Sequence, residues 1–144
     1  MSNSYPQNRG RFSSKRDAQN KRKHLWGCIR CDATYTEKRK TCDQCQHPVQ
    51  YFPSQAEFRR FAALRLEQRF GHISDLELQP SYTIVLNGKQ VCTYRADFKY
   101  TRDGQRVVED VKGTTNEKYL DDVFKLKRKL VEAVHGITIN IVKG

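Results

Sequence analysis

Four cysteines in two closely spaced pairs constrain the fold of this chain more than any other feature. Two residues separate Cys28 from Cys31, ten residues follow, and Cys42 and Cys45 repeat the spacing. Each pair can supply two thiolates from one tight turn, and the segment between the pairs can close a tetrahedral site. Because protein sulfurs would fill all four positions, such a site is structural rather than catalytic. The spacing predicts a zinc ribbon over residues 25–49 that needs its metal to fold.

The cellular compartment decides whether such cysteines bind metal or form disulfides. The N-terminus lacks the apolar stretch of a signal peptide, and no apolar run is long enough to span a bilayer. We therefore expect a cytoplasmic protein with no membrane partner, in which metal ligation is favoured. His24 and His47 flank the cysteines but are not needed as ligands. Cys92 lies in a strand pattern and is typical of a small core residue.

The positive charge of the chain is concentrated near its N-terminus. The net charge is +11, and residues 1–24, with seven Lys/Arg and one Asp, contribute +6 of it. These residues show no apolar periodicity, which predicts a disordered basic arm. Such an arm indicates a polyanionic partner, with nucleic acid first and an anionic membrane surface second, although a solubilising tail explains the charge equally well.

Periodicity over residues 50–144 predicts one α/β (mixed α+β) domain, in the order helix, three meandering strands, helix, strand. The predicted helices span 54–70 and 115–135, and the predicted strands span 81–86, 90–100, 105–112 and 137–142. Two-residue turns at Asn87-Gly88 and Asp103-Gly104 join the first three strands. The last strand should return beside its neighbour by a parallel, right-handed crossover.

The turn at Asp103-Gly104 sets the register of the strands on either side. Counting pairs outward from it places Asp97 directly opposite Asp110. Facing carboxylates repel each other unless a cation compensates them, and a divalent cation with oxygen ligands fits best. Lys112 projects from the same face as Asp110, and this combination suits metal-dependent phosphodiester hydrolysis. The alternative is an exposed charged face on which Lys112 only pairs with Asp110.

The opposite face of these strands is predicted to be the core face, because it carries mostly apolar side chains. They are Tyr94, Ala96, Phe98, Tyr100, Val107 and Val111. Glu109 shares this face and is not explained, unless a bulge shifts the register locally.

Two more polar residues each have two interpretations. Lys127 lies on the apolar stripe of the second helix, where it either extends past the core to solvent, the commoner case, or reaches a polar pocket. Glu57 follows Ser54 by three residues, as in a capping box, and could instead point at the sheet as a third carboxylate. On periodicity alone the capping role of Glu57 is favoured.

Five short segments form an ordered series along the chain. They are Phe52-x-Ser54-x-x-Glu57, Leu78-Gln79-Pro80, Ala96-Asp97-Phe98, Val108-Glu109-Asp110-Val111-Lys112-Gly113 and Lys125-Leu126-Lys127-Arg128-Lys129-Leu130. Together they resemble the PD-(D/E)XK nuclease superfamily, and within it a phage and prophage family of unknown function related to Holliday junction resolvases. The resemblance covers about residues 50–144. It implies a restriction-endonuclease-like α-β-β-β-α-β core and, if the chain is phage-encoded, a location in the host cytoplasm.

The resemblance also implies roles for individual residues. Asp97 and Asp110 would bind Mg²⁺ or Mn²⁺, and Lys112 would be catalytic. By analogy with the resolvase-like branch, Glu57 would be a fourth active-site residue. Gln79 and Lys127 become accessory candidates. The chain departs from the family pattern at Gln55-Ala56, where lysines are usual, which weakens any expectation of phosphate contacts there.

The first functional hypothesis is therefore a Mg²⁺-dependent endonuclease that cuts duplex or branched DNA, in phage recombination or DNA processing. A homodimer would place two sites about a two-fold axis for symmetric cutting of both strands. The alternative is a non-catalytic zinc-ribbon protein that binds nucleic acid through the ribbon and the basic arm. RNA as the substrate is a weaker third option.

Overall fold

A computed structural model describes residues 24–144, which form nine β-strands, two α-helices and one 3-10 turn. The strands are β1 (Leu25–Cys28), β2 (Thr34–Tyr35), β3 (Val49–Phe52), β4 (Ser74–Leu78), β5 (Ser81–Leu86), β6 (Lys89–Arg95), β7 (Phe98–Arg102), β8 (Gln105–Lys112) and β9 (Ile139–Lys143). The helices are α1 (Gln55–Arg69) and α2 (Asp122–His135), and the 3-10 turn spans Glu117–Tyr119. The predicted basic arm lies outside the described residues, except for His24. Neither described helix combines the length and apolar character needed to cross a bilayer.

The cysteine-bearing segment forms a small antiparallel sheet in the order β2-β1-β3. Only Pro53 and Ser54 separate β3 from α1 along the chain. Leu25 pairs with Phe52 at one end of the sheet, and both side chains belong to the core cluster that continues under α1. The separate domain over residues 25–49 stays a prediction.

The main sheet has the order β4-β7-β8-β9, with β9 parallel to β8 and the other pairs antiparallel. Together with α1 and α2 it follows the predicted α-β-β-β-α-β order, and the predicted mixed α+β class is confirmed. The hairpin β5-β6 is inserted between β4 and β7 and forms a two-stranded sheet of its own.

Two predicted strands differ from the structure. The predicted strand 90–100 is divided at Ala96-Asp97 into β6 and β7, and the predicted strand 81–86 pairs only with β6. The edge strand next to β7 is β4, which was not predicted, because its sequence SDLEL lacks a clear apolar alternation and carries a register shift. The turn at Asp103-Gly104 and the register that it sets, from Arg102 opposite Gln105 to Phe98 opposite Glu109, are confirmed.

The first helix agrees with its prediction, whereas the second is shorter. Ser54 caps α1 by accepting from the main-chain N–H of Glu57, and the chain turns at Gly71 with a φ of 75°. α2 begins at Asp122 rather than at residue 115. Asp121 caps it, and the 3-10 turn precedes it. The sequence also places Val123 on the apolar stripe of this helix, together with Leu120, Phe124, Leu130, Val131 and Val134, and the structure shows that Val123 is instead exposed.

Both faces of β8 are covered, and this corrects the prediction of a single core face. On the α1 side Val111 joins Phe98 and Tyr100 in one core cluster. On the α2 side Val108 joins Tyr94 and Ala96 in a second cluster. The strand break at Ala96-Asp97 explains the division, because residues before it belong to the inserted hairpin and residues after it belong to the main sheet.

Candidate functional site

The four cysteines of the predicted zinc ribbon converge in space. Their Sγ atoms all lie within 4.8 Å of one another, with 3.4 Å between Cys28 and Cys45 and 3.6 Å between Cys31 and Cys42. Zinc–sulfur bonds of about 2.3 Å produce a tetrahedron with edges of about 3.8 Å, close to these distances. The cysteines of residues 24–144 form no disulfide. The cluster is therefore compatible with a structural metal ion such as zinc.

Tyr35, which the sequence did not single out, makes the four thiols unequal. Its hydroxyl donates to Sγ of Cys42 at 3.3 Å and accepts from the main-chain N–H of Asp43 at 3.0 Å. The bond from Tyr35 lowers the pKa of Cys42 to about 6. At Cys45 a main-chain hydrogen bond at His47 acts to lower the pKa, but burial and the neighbouring thiols outweigh it and raise the pKa to about 12. Cys42 is thus ionised more readily than Cys45, and the thiolate is the form that binds a cation.

Asp97 is fixed beside β8 at the break between β6 and β7. Its main-chain N–H donates to the carbonyl of Glu109 at 3.0 Å, and its side-chain Oδ2 accepts from the main-chain N–H of Val111 at 2.6 Å. The carboxylate thus takes the place of a main-chain acceptor that a continuous strand would have supplied. Asp97 directly precedes Phe98, which pairs with Glu109, and it lies close enough to Asp110 for their charges to interact.

Asp110 is almost completely buried, with 2% of its surface exposed, and both of its carboxylate oxygens have partners. The hydroxyl of Tyr94 donates to Oδ2 at 2.5 Å, and the ammonium group of Lys112 pairs with Oδ1. Nζ of Lys112 also lies 4.4 Å from the ring centroid of Phe124 on α2. Lys112 is therefore held between an anion and an aromatic face.

Glu57 approaches the same region from the first turn of α1. The hydroxyl of Ser54 donates to Oε1 of Glu57 at 3.1 Å, so the capping interaction is present. Glu57 is 8% exposed, and it lines a cavity of about 300 Å³ together with Lys112. Its negative charge also acts on Asp97. Capping and proximity to the carboxylates therefore occur in the same residue.

The electrostatics of this group are dominated by its carboxylates. Burial, the charge of Asp110 and the charge of Glu57 together raise the pKa of Asp97 to about 7, against the opposing effects of the Val111 hydrogen bond and Lys112. A hard divalent cation would relieve this repulsion, and carboxylate oxygens are suitable ligands for it. Within residues 24–144, only the cysteines bring three or more potential ligand atoms within 4.8 Å of one another, so the carboxylates are spaced more widely.

The two accessory candidates lie differently from each other. The main-chain N–H of Gln79 donates to the Asp97 carbonyl at 2.8 Å, whereas its side chain donates to the carbonyl of Tyr51 at 3.2 Å and accepts from Arg95. Gln79 thus contacts the main chain of the site but directs its amide elsewhere. Lys127 is half-buried on α2, and no hydrogen bond or ion pair among the described residues joins it to the carboxylates.

The structure explains why a glutamate, Glu109, lies on the core face of β8, and no bulge is involved. It is 4% exposed on the α1 side of the sheet. Nε and Nη2 of Arg60 donate to its two oxygens at 2.9 and 2.7 Å, and the hydroxyl of Tyr100 donates to Oε1 at 2.5 Å. Burial, followed by the bond to Glu109, raises the pKa of Tyr100 to about 12. Glu109 is therefore the buried member of an ion pair with the half-buried Arg60, and it faces away from Asp110.

The geometry also adds Tyr94 to the candidate site. The sequence placed Tyr94 on a core face with no polar role, because an unbroken strand would direct residues 94 and 97 to opposite sides. The break at Ala96-Asp97 instead brings its hydroxyl to Asp110. The irregular connection, which has no strong signature in the sequence, is the reason that Tyr94 was missed.

These features define a mixed α+β protein with a four-cysteine cluster that is compatible with a metal ion and a separate group of buried and half-buried carboxylates. Residues 34–140, about three quarters of the chain, match the family described as Protein of unknown function (DUF1064). The chain belongs to this family. No curated protein and no solved structure matches the chain.

Proposed function

We propose that this protein is a divalent-metal-dependent endonuclease that hydrolyses phosphodiester bonds in DNA. The observation that carries the proposal is the group of Asp97, Asp110 and Lys112, with Glu57 beside it. Buried carboxylates in such proximity are costly unless a cation compensates them, as the raised pKa of Asp97 indicates. Perturbed acidic groups of this kind are frequent at catalytic sites.

The donor set fits Mg²⁺ or Mn²⁺, with Asp97 and Asp110 as the ligands. When bound, such an ion supplies an activated water and neutralises charge on the phosphate. Lys112 would then bring a positive charge to the reacting phosphate, held in position by Asp110 and the ring of Phe124. Glu57 would contribute a third carboxylate from α1.

The proposed substrate is DNA, either duplex or branched, and the proposed setting is phage recombination or DNA processing. The net charge of +11 favours a polyanionic substrate. The resemblance to Holliday junction resolvases favours branched DNA, for which a homodimer would supply two related sites.

The second candidate is a non-catalytic nucleic-acid-binding protein that uses the cysteine cluster as its structural element. The ion pair between Lys112 and Asp110 favours it, because a lysine neutralised in this way also suits a purely structural role. Although their charges interact, the oxygens of the three carboxylates do not all lie within 4.8 Å of one another, and this points in the same direction.

A cleavage panel separates the two candidates. The zinc-loaded full chain is incubated with single-stranded, duplex, flap and four-way-junction DNA and with matched RNA, with and without Mg²⁺. We expect Mg²⁺-dependent cleavage of DNA that Asp110→Asn or Lys112→Ala lowers by at least about 100-fold. Asp103→Asn, in the turn between β7 and β8, and Lys89→Ala, at the start of β6, are the matched controls at exposed positions and should cleave like the wild type.

Each other outcome of the panel contradicts the proposal in a defined way. Equal cleavage by the wild type and both site variants would assign the activity to a contaminant. Tight, salt-sensitive binding with no cleavage in Mg²⁺ or Mn²⁺ would favour the non-catalytic candidate. Preferential cleavage of the matched RNA would overturn DNA as the substrate.

A further inference from the structure

A basic cavity lies where the cysteine cluster meets α1, separate from the carboxylates. Its volume is about 380 Å³, within the range of ligand-binding sites, and it is lined by Ile29, Arg30, His47, Arg65 and Arg69. Four of these five side chains can carry a positive charge, and none can carry a negative one. The composition of the basic cavity therefore favours an anion.

We call residues 28–45, which carry the four cysteines, the metal-binding loop. Hydrogen bonds to this loop hold the wall of the basic cavity. Nη1 of Arg65 lies 3.5 Å from the carbonyl oxygens of both Cys28 and Cys31, and Nη2 pairs with Asp32 at 2.7 Å. Nδ1 of His47 lies 2.7 Å from the carbonyl oxygen of Cys45, which leaves Nε2 for another partner. Arg65 and His47 thus connect both cysteine turns to the cavity, and metal binding would stiffen it.

Arg30 and Arg69 complete the cavity with uncompensated charge. Both side chains are exposed, and no acidic group in residues 24–144 forms an ion pair with either. Arg65 differs, because Asp32 already pairs with it. Two free guanidinium groups on opposing segments, one in the metal-binding loop and one on α1, provide paired donors for one anionic group.

We propose that the basic cavity binds a backbone phosphate of DNA. Planar guanidinium groups match the oxygens of a phosphate, and a chain with a net charge of +11 encounters phosphates mainly on nucleic acid. The proposal rests on the proposed function only in taking DNA as the polyanion, and it does not require cleavage. It assigns the cysteine cluster the role of holding a phosphate contact in place.

The position of the basic cavity on α1 separates this contact from the carboxylates. Glu57 and Arg69 are twelve residues apart on one helix, which corresponds to about 18 Å along its axis. At 3.4 Å per base pair this distance is about five base pairs of duplex. The phosphate in the cavity would therefore belong to DNA that flanks the reacting phosphodiester.

The test is DNA binding by the zinc-loaded full chain, measured by fluorescence anisotropy on a labelled duplex between 50 and 200 mM salt without Mg²⁺. The variant is Arg30→Gln/Arg69→Gln. The matched control is Arg59→Gln/Arg106→Gln, which removes the same charge from exposed positions outside the cavity. We expect the cavity variant to bind at least about 10-fold more weakly than the control. The slope of the logarithm of its binding constant against the logarithm of salt concentration should be smaller in magnitude by about one to two.

The remaining outcomes all decide against the basic cavity or its ligand. Equal binding by the cavity variant and the control would overturn the proposal, whether or not the wild type cleaves DNA. Loss of zinc or of thermal stability in the cavity variant alone would assign the arginines to the metal-binding loop. Inorganic phosphate that displaces the duplex at micromolar concentration would indicate a site for free phosphate rather than for DNA.

Discussion

The hydroxyl of Tyr94 donates a 2.5 Å hydrogen bond to Oδ2 of Asp110, and both side chains are buried. Burial, followed by the charge of Asp110, raises the pKa of Tyr94 far above its usual value, so the hydroxyl remains a donor at every physiological pH. Tyr94 belongs to β6, so a residue of the inserted hairpin fixes the orientation of the Asp110 carboxylate on β8. The hairpin is thereby part of the candidate site.

Tyr94→Phe should weaken both stability and metal binding. The substitution leaves a buried carboxylate oxygen without its donor, which costs about 1–3 kcal/mol. Loss of an orienting partner of a metal ligand typically lowers metal affinity by about 10–100-fold. Urea unfolding and calorimetric titration with Mg²⁺ measure the two effects.

Tyr82→Phe is the matched control for Tyr94→Phe. Tyr82 lies opposite Tyr94 in the hairpin, but its buried hydroxyl has no hydrogen-bond partner among the described residues. Its removal should leave Mg²⁺ affinity unchanged and stability equal or higher. If both variants lose Mg²⁺ affinity to the same extent, Tyr94 has no specific role at Asp110.

Asp97 should make the metal-free protein less stable as the pH rises. The folded state holds the Asp97 proton more tightly than the unfolded state, because the pKa rises from 3.8 to about 7 on folding. Stability is therefore lost between about pH 4 and pH 7, by up to about 4 kcal/mol. Asp97→Asn should remove this loss, so its advantage over the wild type should grow between pH 5 and pH 8.

Mg²⁺ should restore the folding stability that is lost when Asp97 ionises. A cation that binds the ionised carboxylate stabilises the wild type more at pH 8 than at pH 5, whereas it should stabilise Asp97→Asn little at either pH. Thermal unfolding at both pH values, with Asp103→Asn as the exposed control, tests this difference. The same Mg²⁺ effect on all three proteins would argue against a metal at Asp97.

Local signals in the sequence were sufficient for parts of the site. Cysteine spacing predicted the convergence of the four cysteines, and the Asp103-Gly104 turn predicted the β7–β8 register as far as Phe98 opposite Glu109, because turn chemistry and spacing are properties of neighbouring residues. The partner of Glu109 could not be predicted in this way. Arg60 lies 49 residues earlier in the chain and reaches Glu109 only through the packing of α1 on the sheet.

Zinc should be present in near-stoichiometric amount in the purified protein, and Cys28→Ser/Cys31→Ser should abolish it.

Tyr35→Phe should lower zinc affinity more at pH 6.5 than at pH 8.5. Without the Tyr35 hydrogen bond the pKa of Cys42 rises, so protons compete with zinc at the lower pH. Competition with a chelator measures the affinity, and Tyr119→Phe, an exposed tyrosine elsewhere, is the control.

Gly27→Ala should loosen the contact between the cysteine-bearing sheet and α1. A Cβ atom at Gly27 would lie 2.3 Å from Cε2 of Phe58, so the ring or the strand has to move. Overpacking of this kind costs about 1–3 kcal/mol. Gly113→Ala is the control, because a Cβ there meets no atom within 4 Å. Equal unfolding midpoints for the two variants would show that β1 is not packed on Phe58.

Arg60 and Glu109 should show strong energetic coupling in unfolding. Arg60→Met leaves the carboxylate of Glu109 buried with only the Tyr100 hydroxyl as a partner, and breaking a buried pair in this way costs about 3–5 kcal/mol. Glu109→Gln should cost less, because Arg60 is partly exposed and lies 3.9 Å from Glu67. The double variant should therefore be more stable than the sum of the single effects predicts.

The exposed pair of Arg39 and Asp43 provides the comparison for this double-mutant cycle. Solvent screens that pair, so its coupling should be close to zero under the same urea unfolding conditions. Coupling between Arg60 and Glu109 no larger than that of the exposed pair would contradict a buried ion pair. Because Glu109 faces away from Asp110, Arg60→Met should also leave Mg²⁺ affinity unchanged once the protein is folded, and this distinguishes it from Tyr94→Phe.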